Sequence, residues 1–338
     1  MKIGVDIFGG DNAPLAVLLG CAEAKKEYGV EILACGKKEE IERIAAENGI
    51  SLEGIEILNA DGVMPIEADS TEIIKEYSDS SMAVLLKALA EGKCDAAVSA
   101  GSTGALVVGA TFIVKRIRGI KRAALAPIIP TTAEKYLLID SGANVECRPE
   151  MLVQFGVMGS IYMEKVEGVK NPRVGLINVG TEECKGAPLQ KEAYQLLGKA
   201  PLNFVGNIEA RDVPSGKCDV AVADGFTGNI VLKLTEGTAM GMMKEIKGIL
   251  YSNLLTKLAA LVLKKGLYAF KKKMDYTEHG GAPLLGIAKP VIKAHGSSDA
   301  KAFKNAIRQA AAFTQSGAIE AIAAAVKEIK SQGDGENE

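Results

Sequence analysis

Tryptophan is absent from the 338 residues, and tyrosine and phenylalanine bring the aromatic content to only 5%. Proteins that hold single-stranded nucleic acid stack bases on exposed aromatic faces, so nucleic acid is not an expected partner. An excess of either charge is missing too. The formal net charge is −2, so no whole-molecule field draws the chain to polyanions, and attraction to an acidic partner requires a local patch. Histidine occurs only at His279 and His295, which by inventory nearly excludes a Ser-His-Asp triad and a three-histidine zinc site. HExxH, GxxxxGK[ST] and CxxC are all lacking, and Gly9-Gly10-Asp11 does not have the GxGxxG spacing of a dinucleotide turn. No metal and no cofactor is expected. No run of 18 apolar residues occurs, so no membrane span is expected.

What is present is the balance of a soluble globular protein, 48% hydrophobic and 24% charged. The length suits one large α/β domain or two closely joined lobes. Six cysteines, at 21, 35, 94, 147, 184 and 218, read as buried, reduced thiols. The amino terminus opens directly on the strand-like run Lys2-Ile3-Gly4-Val5-Asp6, so no signal peptide and a cytoplasmic location are expected.

Short β-branched runs alternate with longer amphipathic segments. Strands are predicted at 3–7, 31–34, 55–58, 96–99, 137–139, 174–178, 203–205 and 220–223, and helices at 14–28, 38–48, 74–91 and 149–166. Apolar strands joined by helices of this length imply crossover connections and a mostly parallel sheet flanked by helices. Ligands of such sheets bind beyond the carboxyl ends of the strands. The loops there share one character: Ser99-Ala100-Gly101-Ser102-Thr103-Gly104, Asp140-Ser141-Gly142-Ala143-Asn144, Asn178 to Gly186, and Asp224-Gly225-Phe226-Thr227-Gly228-Asn229. Glycine admits close backbone approach, Ser or Thr caps the next helix, and a helix amino terminus attracts phosphate. Tight βα turns use the same residues structurally, so the weight lies in four occurring together.

Two of these segments match without a gap. Gly92–Val107 and Gly216–Val231 share ten of sixteen positions in the frame Gly-Lys-Cys-Asp, Ala-Val, Gly-x-Thr-Gly, Val. They are two units with convergent turn chemistry or a pair of half-sites facing one cleft; the second reading is slightly favoured.

The last third differs. Tyr251–Lys273 carries six lysines and no acid, with Leu254, Leu255, Leu258, Leu261 and Val262 at helical spacing beside Lys257, Lys264 and Lys265. Such a helix can lie on an anionic membrane surface, dock an acidic protein, or face the core with a solvated lysine side. A long alanine-rich helical region follows from Ser298 to about Lys330, interrupted at Gly317, and residues 331–338 read as a frayed polar tail.

Chemistry must come from few groups. His279-Gly280-Gly281 places an ionisable group at a tight turn, and His295 stands just before a helix amino terminus. Lys185 sits in a loop after a strand, where it can clamp phosphate as a point charge.

Taken in order, Gly9-Gly10-Asp11-Asn12-Ala13-Pro14, the 99–106 loop, Asp140 to Asn144, Asn178 to Gly186, Asp224 to Asn229 and Gly280-Gly281-Ala282-Pro283-Leu284-Leu285-Gly286 resemble the PlsX family of bacterial phosphate acyltransferases. The landmarks cover nearly the whole chain. Departures are small: Ile7-Phe8 stands where Ala-Met is more usual, and Ser102 where Asn is common. The resemblance implies a three-layer fold related to phosphotransacetylases and isopropylmalate-type dehydrogenases, a single catalytic domain over 1–330, and a homodimer. It implies transfer of a long-chain acyl group from acyl carrier protein to inorganic phosphate. The acyl phosphate then serves a downstream membrane glycerol-3-phosphate acyltransferase. It further implies peripheral work at the membrane surface.

That reaction suits a histidine-poor chain. Phosphate is already an anionic nucleophile and a thiolate is a tolerable leaving group, so little general-base power is needed. The protein must hold phosphate at the thioester carbonyl and stabilise the oxyanion. In this reading Lys185 neutralises charge, Asn229 and the Gly225–Gly228 backbone, with Thr227, donate hydrogen bonds, and Asp224 orients them. Gly101, Ser102, Thr103, Gly104, Asn144 and Asn178 contact phosphate or pantetheine, and His279, Gly280 and Gly281 form the rim. The competing readings are a nicotinamide-dependent hydroxyacid dehydrogenase on a related fold and a non-catalytic lipid sensor at the membrane surface.

Overall fold

The computed structural model describes residues 1–131, 135–273 and 280–335. Its twelve strands are β1 (Lys2–Asp6), β2 (Glu31–Gly36), β3 (Ile55–Asn59), β4 (Ala96–Ser99), β5 (Ala124–Leu125), β6 (Ile128–Pro130), β7 (Lys135–Ile139), β8 (Arg173–Asn178), β9 (Asn203–Glu209), β10 (Val220–Val222), β11 (Ala282–Leu285) and β12 (Val291–Lys293). The helices are α1 (Leu15–Tyr28), α2 (Lys38–Glu47), α3 (Ser81–Ala90), α4 (Thr103–Gly109), α5 (Pro149–Lys165), α6 (Pro188–Lys199), α7 (Gly225–Leu250), α8 (Leu254–Lys273), α9 (Ala300–Gln315) and α10 (Ala318–Gly335).

The strands form two sheets, in the orders β3-β2-β1-β4-β12-β11-β5 and β6-β7-β10-β8-β9. Both are mostly parallel; β11 runs antiparallel to β12 and β5, and β6 antiparallel to β7. The expected mostly parallel α/β architecture is present, divided between two sheets. The chain crosses between them at Ala126-Pro127, where the Ala126 N–H donates to Pro283 O and the Leu138 N–H to Pro127 O. Central strands are buried on both faces, as helices on either side require: β4 and β10 contain no exposed residue. Helices α1 and α9 cover one sheet and α5 packs on the other; the edge-to-face rings of Tyr162 and Phe313 tie α5 to α9.

Three segments differ from the sequence reading. Helix α3 begins at Ser81, not residue 74, because the Ser80 hydroxyl accepts the Ala83 N–H and fixes the cap there. Helix α10 extends to Gly335, past the end expected at about Lys330. Four cysteines are buried, but Cys147 is half-buried and Cys184 exposed on a loop.

Candidate active site

A cavity of about 620 Å3 opens where the two sheets meet, within the range of small-ligand sites. One wall is a face of α7: Asn229, Lys233, Glu236, Met240 and Met243 recur at helical spacing along it. The opposing apolar wall is the crossing segment from Leu125 to Pro130. Thr103, Ser141, Gly280, Lys293 and His295 complete the polar lining. Both halves of the internal repeat reach this cavity, the first through Thr103 at the start of α4 and the second through Asn229 in the first turn of α7. The repeat is therefore a pair of strand–turn–helix units, one from each sheet, facing one cleft.

The loops are held by buried carboxylates. Asp140 accepts hydrogen bonds from the backbone N–H groups of Leu125 (2.9 Å), Ala143 (3.1 Å) and Asn144 (2.6 Å), and from the Asn144 amide (2.9 Å). Burial pushes its carboxyl upward, and these donors pull it back. Asp6 accepts from the hydroxyls of Ser81 (2.6 Å) and Ser99 (2.7 Å), while the Ser99 oxygen accepts the Gly101 N–H (3.1 Å). Burial raises Asp6 as well. Asp224 caps α7 by accepting from the Thr227 N–H (2.9 Å) and hydroxyl (2.8 Å).

The glycines of the α7 turn make room for protein as well as for a ligand. A Cβ at position 225 would lie 2.5 Å from Asn144 O, and one at 228 only 1.9 Å from Asp140 O. These two glycines let the start of α7 press against the 140–144 loop, which sets Asn229 in the cavity wall.

The sequence-nominated residues therefore separate. Thr103, Asn229, Gly280 and Gly281 line the cavity. Gly101, Ser102, Gly104, Asp224, Gly225, Thr227 and Gly228 build the turns behind it; Ser102 caps α4, and Gly104 packs against Ser70. Asn144 gives its amide to Ala123 O (2.8 Å) and Asp140 and lies outside the lining. Asn178 donates to Lys185 O (3.1 Å) and to Asn207 Oδ1 (3.1 Å), pinning the loop after β8. Lys185 stands on that loop, exposed and outside the lining. His279 lies outside the described residues.

The group that sequence reasoning missed is Lys293. It ends β12, is only 9% exposed, and donates to Ala100 O (3.2 Å) and Ala294 O (2.5 Å). An ammonium has three N–H donors, so one is left for the cavity that Lys293 lines. Burial lowers its pKa to about 8; Asp6 and Asp11 counter the fall, and Lys233 adds to it. Lys233 pairs with Glu236 at 2.9 Å. The His295 Nδ1 meets the Ser297 N–H (3.2 Å) and hydroxyl (2.8 Å), and burial lowers its pKa. The available signal was a lysine closing the apolar run Val291-Ile292 next to a His-Gly turn.

Among the described residues no group of His, Cys, Asp and Glu is arranged to hold a metal ion, and no helix is long and apolar enough to cross a membrane. Helix α8 exposes Leu254, Leu258, Leu261, Lys257, Lys264 and Lys265.

The cavity lies at the junction of two mostly parallel sheets of an α/β fold, and solved structures share that fold. A phosphotransacetylase from Streptococcus pyogenes superposes with a TM-score of 0.66 at 20% identity, covering 93% of this chain and 94% of that one. A branched-chain phosphotransacylase from Enterococcus faecalis gives 0.58 at 12% identity, covering 94% and 99%. The Fatty acid synthesis protein family matches residues 1–321. Phosphate acyltransferases are similar over nearly their whole length: that of Alkaliphilus oremlandii is 48% identical, covering 97% of this chain and 98% of the relative. That of Bacillus licheniformis is 49% identical, covering 92% and 93%. The chain belongs to the phosphate acyltransferase family, and it is an acyltransferase.

Proposed function

We propose that the chain transfers a long-chain fatty acyl group from an acyl carrier protein thioester to inorganic phosphate, giving acyl phosphate for phospholipid synthesis. The observation that carries this reading is the division of the cavity along α7. Asn229 and Lys233 lie at the helix start, beside Lys293, while Ala239, Met240 and Met243 line it further on against Ile128, Ile129 and Pro130. Asn229 and Met243 are fourteen helical steps apart, roughly 21 Å of helix. Such a wall suits an anionic head and an extended apolar tail.

In this reading phosphate sits against Thr103, Ser141 and Lys293. One of its oxygens attacks the thioester carbonyl carbon, the C–O bond forms, and the carbonyl oxygen takes up negative charge. The Asn229 amide and the Lys293 ammonium stabilise that charge. Collapse breaks the C–S bond; the carrier thiolate leaves and takes a proton from solvent. Asp224 acts through the cap that fixes the first turn of α7. Lys185 lies beyond the carboxyl end of β8, next to β10 in the sheet, and supplies a second positive charge as phosphate enters. Lys185→Ala should raise KM for phosphate about tenfold, the worth of one charge-assisted contact. Initial rates across a phosphate titration check this, and an unchanged KM denies Lys185 any part in phosphate binding.

The reaction is tested by phosphate-dependent release of carrier thiol from long-chain acyl carrier protein, with the acyl phosphate identified by mass. Thiol release that ignores phosphate would overturn the reading.

Helix α8 is proposed as the contact with an anionic membrane surface, where a membrane glycerol-3-phosphate acyltransferase uses the product. Leu254, Leu255, Leu258 and Leu261 are 76%, 78%, 55% and 67% exposed beside Lys257, Lys264 and Lys265. The same reading makes the protein a cytoplasmic, peripherally bound homodimer. Leu254→Asp with Leu258→Asp should abolish co-sedimentation with phosphatidylglycerol vesicles, and binding of the unaltered chain should fall steeply with salt. Undiminished sedimentation of the double variant would move the membrane contact elsewhere.

A further inference from the structure

A second recess, of about 550 Å3, lies outside the active site and is lined by Arg116, Lys121, Arg122, Glu146, Arg148 and Met151, with Cys147. Its cations come mainly from one stretch: Lys115-Arg116-Ile117-Arg118-Gly119-Ile120-Lys121-Arg122 places five in eight positions of a chain whose net charge is −2. Among the described residues neither these five nor Arg148 makes an ion pair with a carboxylate. Arg116, Arg118, Lys121, Arg122 and Arg148 are all exposed.

The loop that carries them is built. Gln154 of α5 accepts the Lys121 N–H at 2.8 Å and donates to Gly119 O at 3.0 Å. The Ile117 N–H donates to Gly286 O at 2.9 Å, the Arg116 guanidinium to Lys121 O, and the Asn144 amide to Ala123 O. Cations fixed in place lose less entropy on pairing than cations on a free chain. The recess also joins the active site through one short segment. Ser141 and Gly142 line the catalytic cavity, and Glu146 to Arg148 line the recess. The five residue-to-residue steps from Gly142 to Cys147 can span at most about 18 Å.

We propose that this recess docks the acidic face of the carrier protein that presents the acyl thioester, placing its prosthetic arm at the cavity. The inference rests on the carrier-protein donor proposed above. Several unpaired cations around a concavity match an array of carboxylates on a folded partner, and complementary charge of this kind steers encounter and fixes register. Val145, 64% exposed, and Met151 add a small apolar contact at its edge. A bilayer is the poorer match, because the exposed leucines that would anchor it lie on α8, at Leu254 to Leu263.

The test uses the full chain with Arg122→Glu and Arg148→Glu, singly and together, assayed with two donors. One is long-chain acyl carrier protein; the other is the same acyl group on N-acetylcysteamine, which has no protein to dock. The double variant should raise KM for the carrier donor by about tenfold or more and flatten its salt dependence. Its kcat/KM with the small thioester should stay within about twofold, a result that also certifies the fold. Equal losses with both donors, or no change with either, would overturn the docking site while leaving acyl transfer intact. Loss of phosphatidylglycerol-vesicle binding with normal carrier turnover would overturn it in favour of a lipid contact. Titration calorimetry with unacylated carrier protein needs no turnover. Full-strength binding by the double variant sinks the docking site, whereas an unaltered chain inactive with every donor sinks the proposed reaction.

Discussion

Lys293→Met should lower kcat/KM for phosphate-dependent acyl transfer by about 10²–10³, the usual loss when one preorganised donor to a developing oxyanion is removed. Methionine keeps much of the length and apolar body of the side chain, so the 620 Å3 cavity stays closed around it. What goes is a positive charge held 9% exposed between two carbonyl oxygens. The pH dependence gives the readout that a packing role would not produce. Burial brings this ammonium to about 8 from the ordinary lysine value of 10.5. In the unaltered chain kcat/KM should therefore fall as pH rises through about 8, where the ammonium discharges, and kcat/KM reports the free protein. The methionine variant should lack that limb. Stability has the opposite sign. Between about 8 and 10.5 the unfolded lysine holds its proton while the folded one has lost it, so the unfolded state binds more protons and stability rises with pH across that window. Denaturant melts at pH 7.5 and 9.5 should show this gain in the unaltered chain and not in the variant. Turnover within about threefold of normal in Lys293→Met would take the residue out of the chemistry.

That residue also marks where the sequence became unreadable. Buried parallel strands appear as unbroken apolar runs, and all eight strands expected from such runs are present, from β1 at Lys2–Asp6 to β10 at Val220–Val222. The four that escaped, β5, β6, β11 and β12, are two to four residues long, and Pro127, Pro130, Pro283 and Pro290 lie within or beside them. A run that short has no period to detect, and proline there reads as a turn. Yet these strands close the cavity: β5 and β6 supply its apolar wall, and β12 delivers Lys293. A lysine in a sequence reads as a solvated side chain. The burial of Lys293 comes from β12 lying between β4 and β11, and its pairing with β4 joins positions 194 apart, which no local pattern announces.

The glycine-rich turns were readable for a different reason. Their residues satisfy local needs, such as caps and close approach, that leave a fixed spacing in the chain. Thr103 and Asn229 could be found because they stand in or directly after the glycine-rich turns that follow β4 and β10. What the frame did not tell was which groups face a ligand. Asn144 and Asn178 have the chemistry of ligand contacts, but their amides are engaged by Ala123 O, Asp140, Lys185 O and Asn207 within the protein. Hydrogen-bond donors are interchangeable in sequence and become distinct only when partners are placed.

The second large effect is expected from one methyl group. Gly228→Ala should destabilise the chain by about 3 kcal/mol or more, at the upper end of overpacking costs, and should reduce turnover below a tenth of normal. The added Cβ would sit 1.9 Å from Asp140 O and 2.9 Å from its carbon, and neither backbone atom can rotate away. Asp140 is fixed by four donors from Leu125, Ala143 and Asn144, so the strain falls on α7, whose first turn must lift from the 140–144 loop. Asn229 moves with it, away from the cavity wall. The same helix contains its own control. Gly237 and Gly241 have nothing within 4 Å of a built Cβ, so Gly237→Ala should stabilise by about 0.5–1 kcal/mol through helix propensity alone. Urea midpoints at constant m, with kcat and KM for both substrates, separate the cases. Should Gly228→Ala match Gly237→Ala in stability and rate, the close packing of α7 on the 140–144 loop would not be what positions Asn229. A large loss at 228 beside a gain at 237 would place the constraint at the first turn of α7, where the two sheets meet.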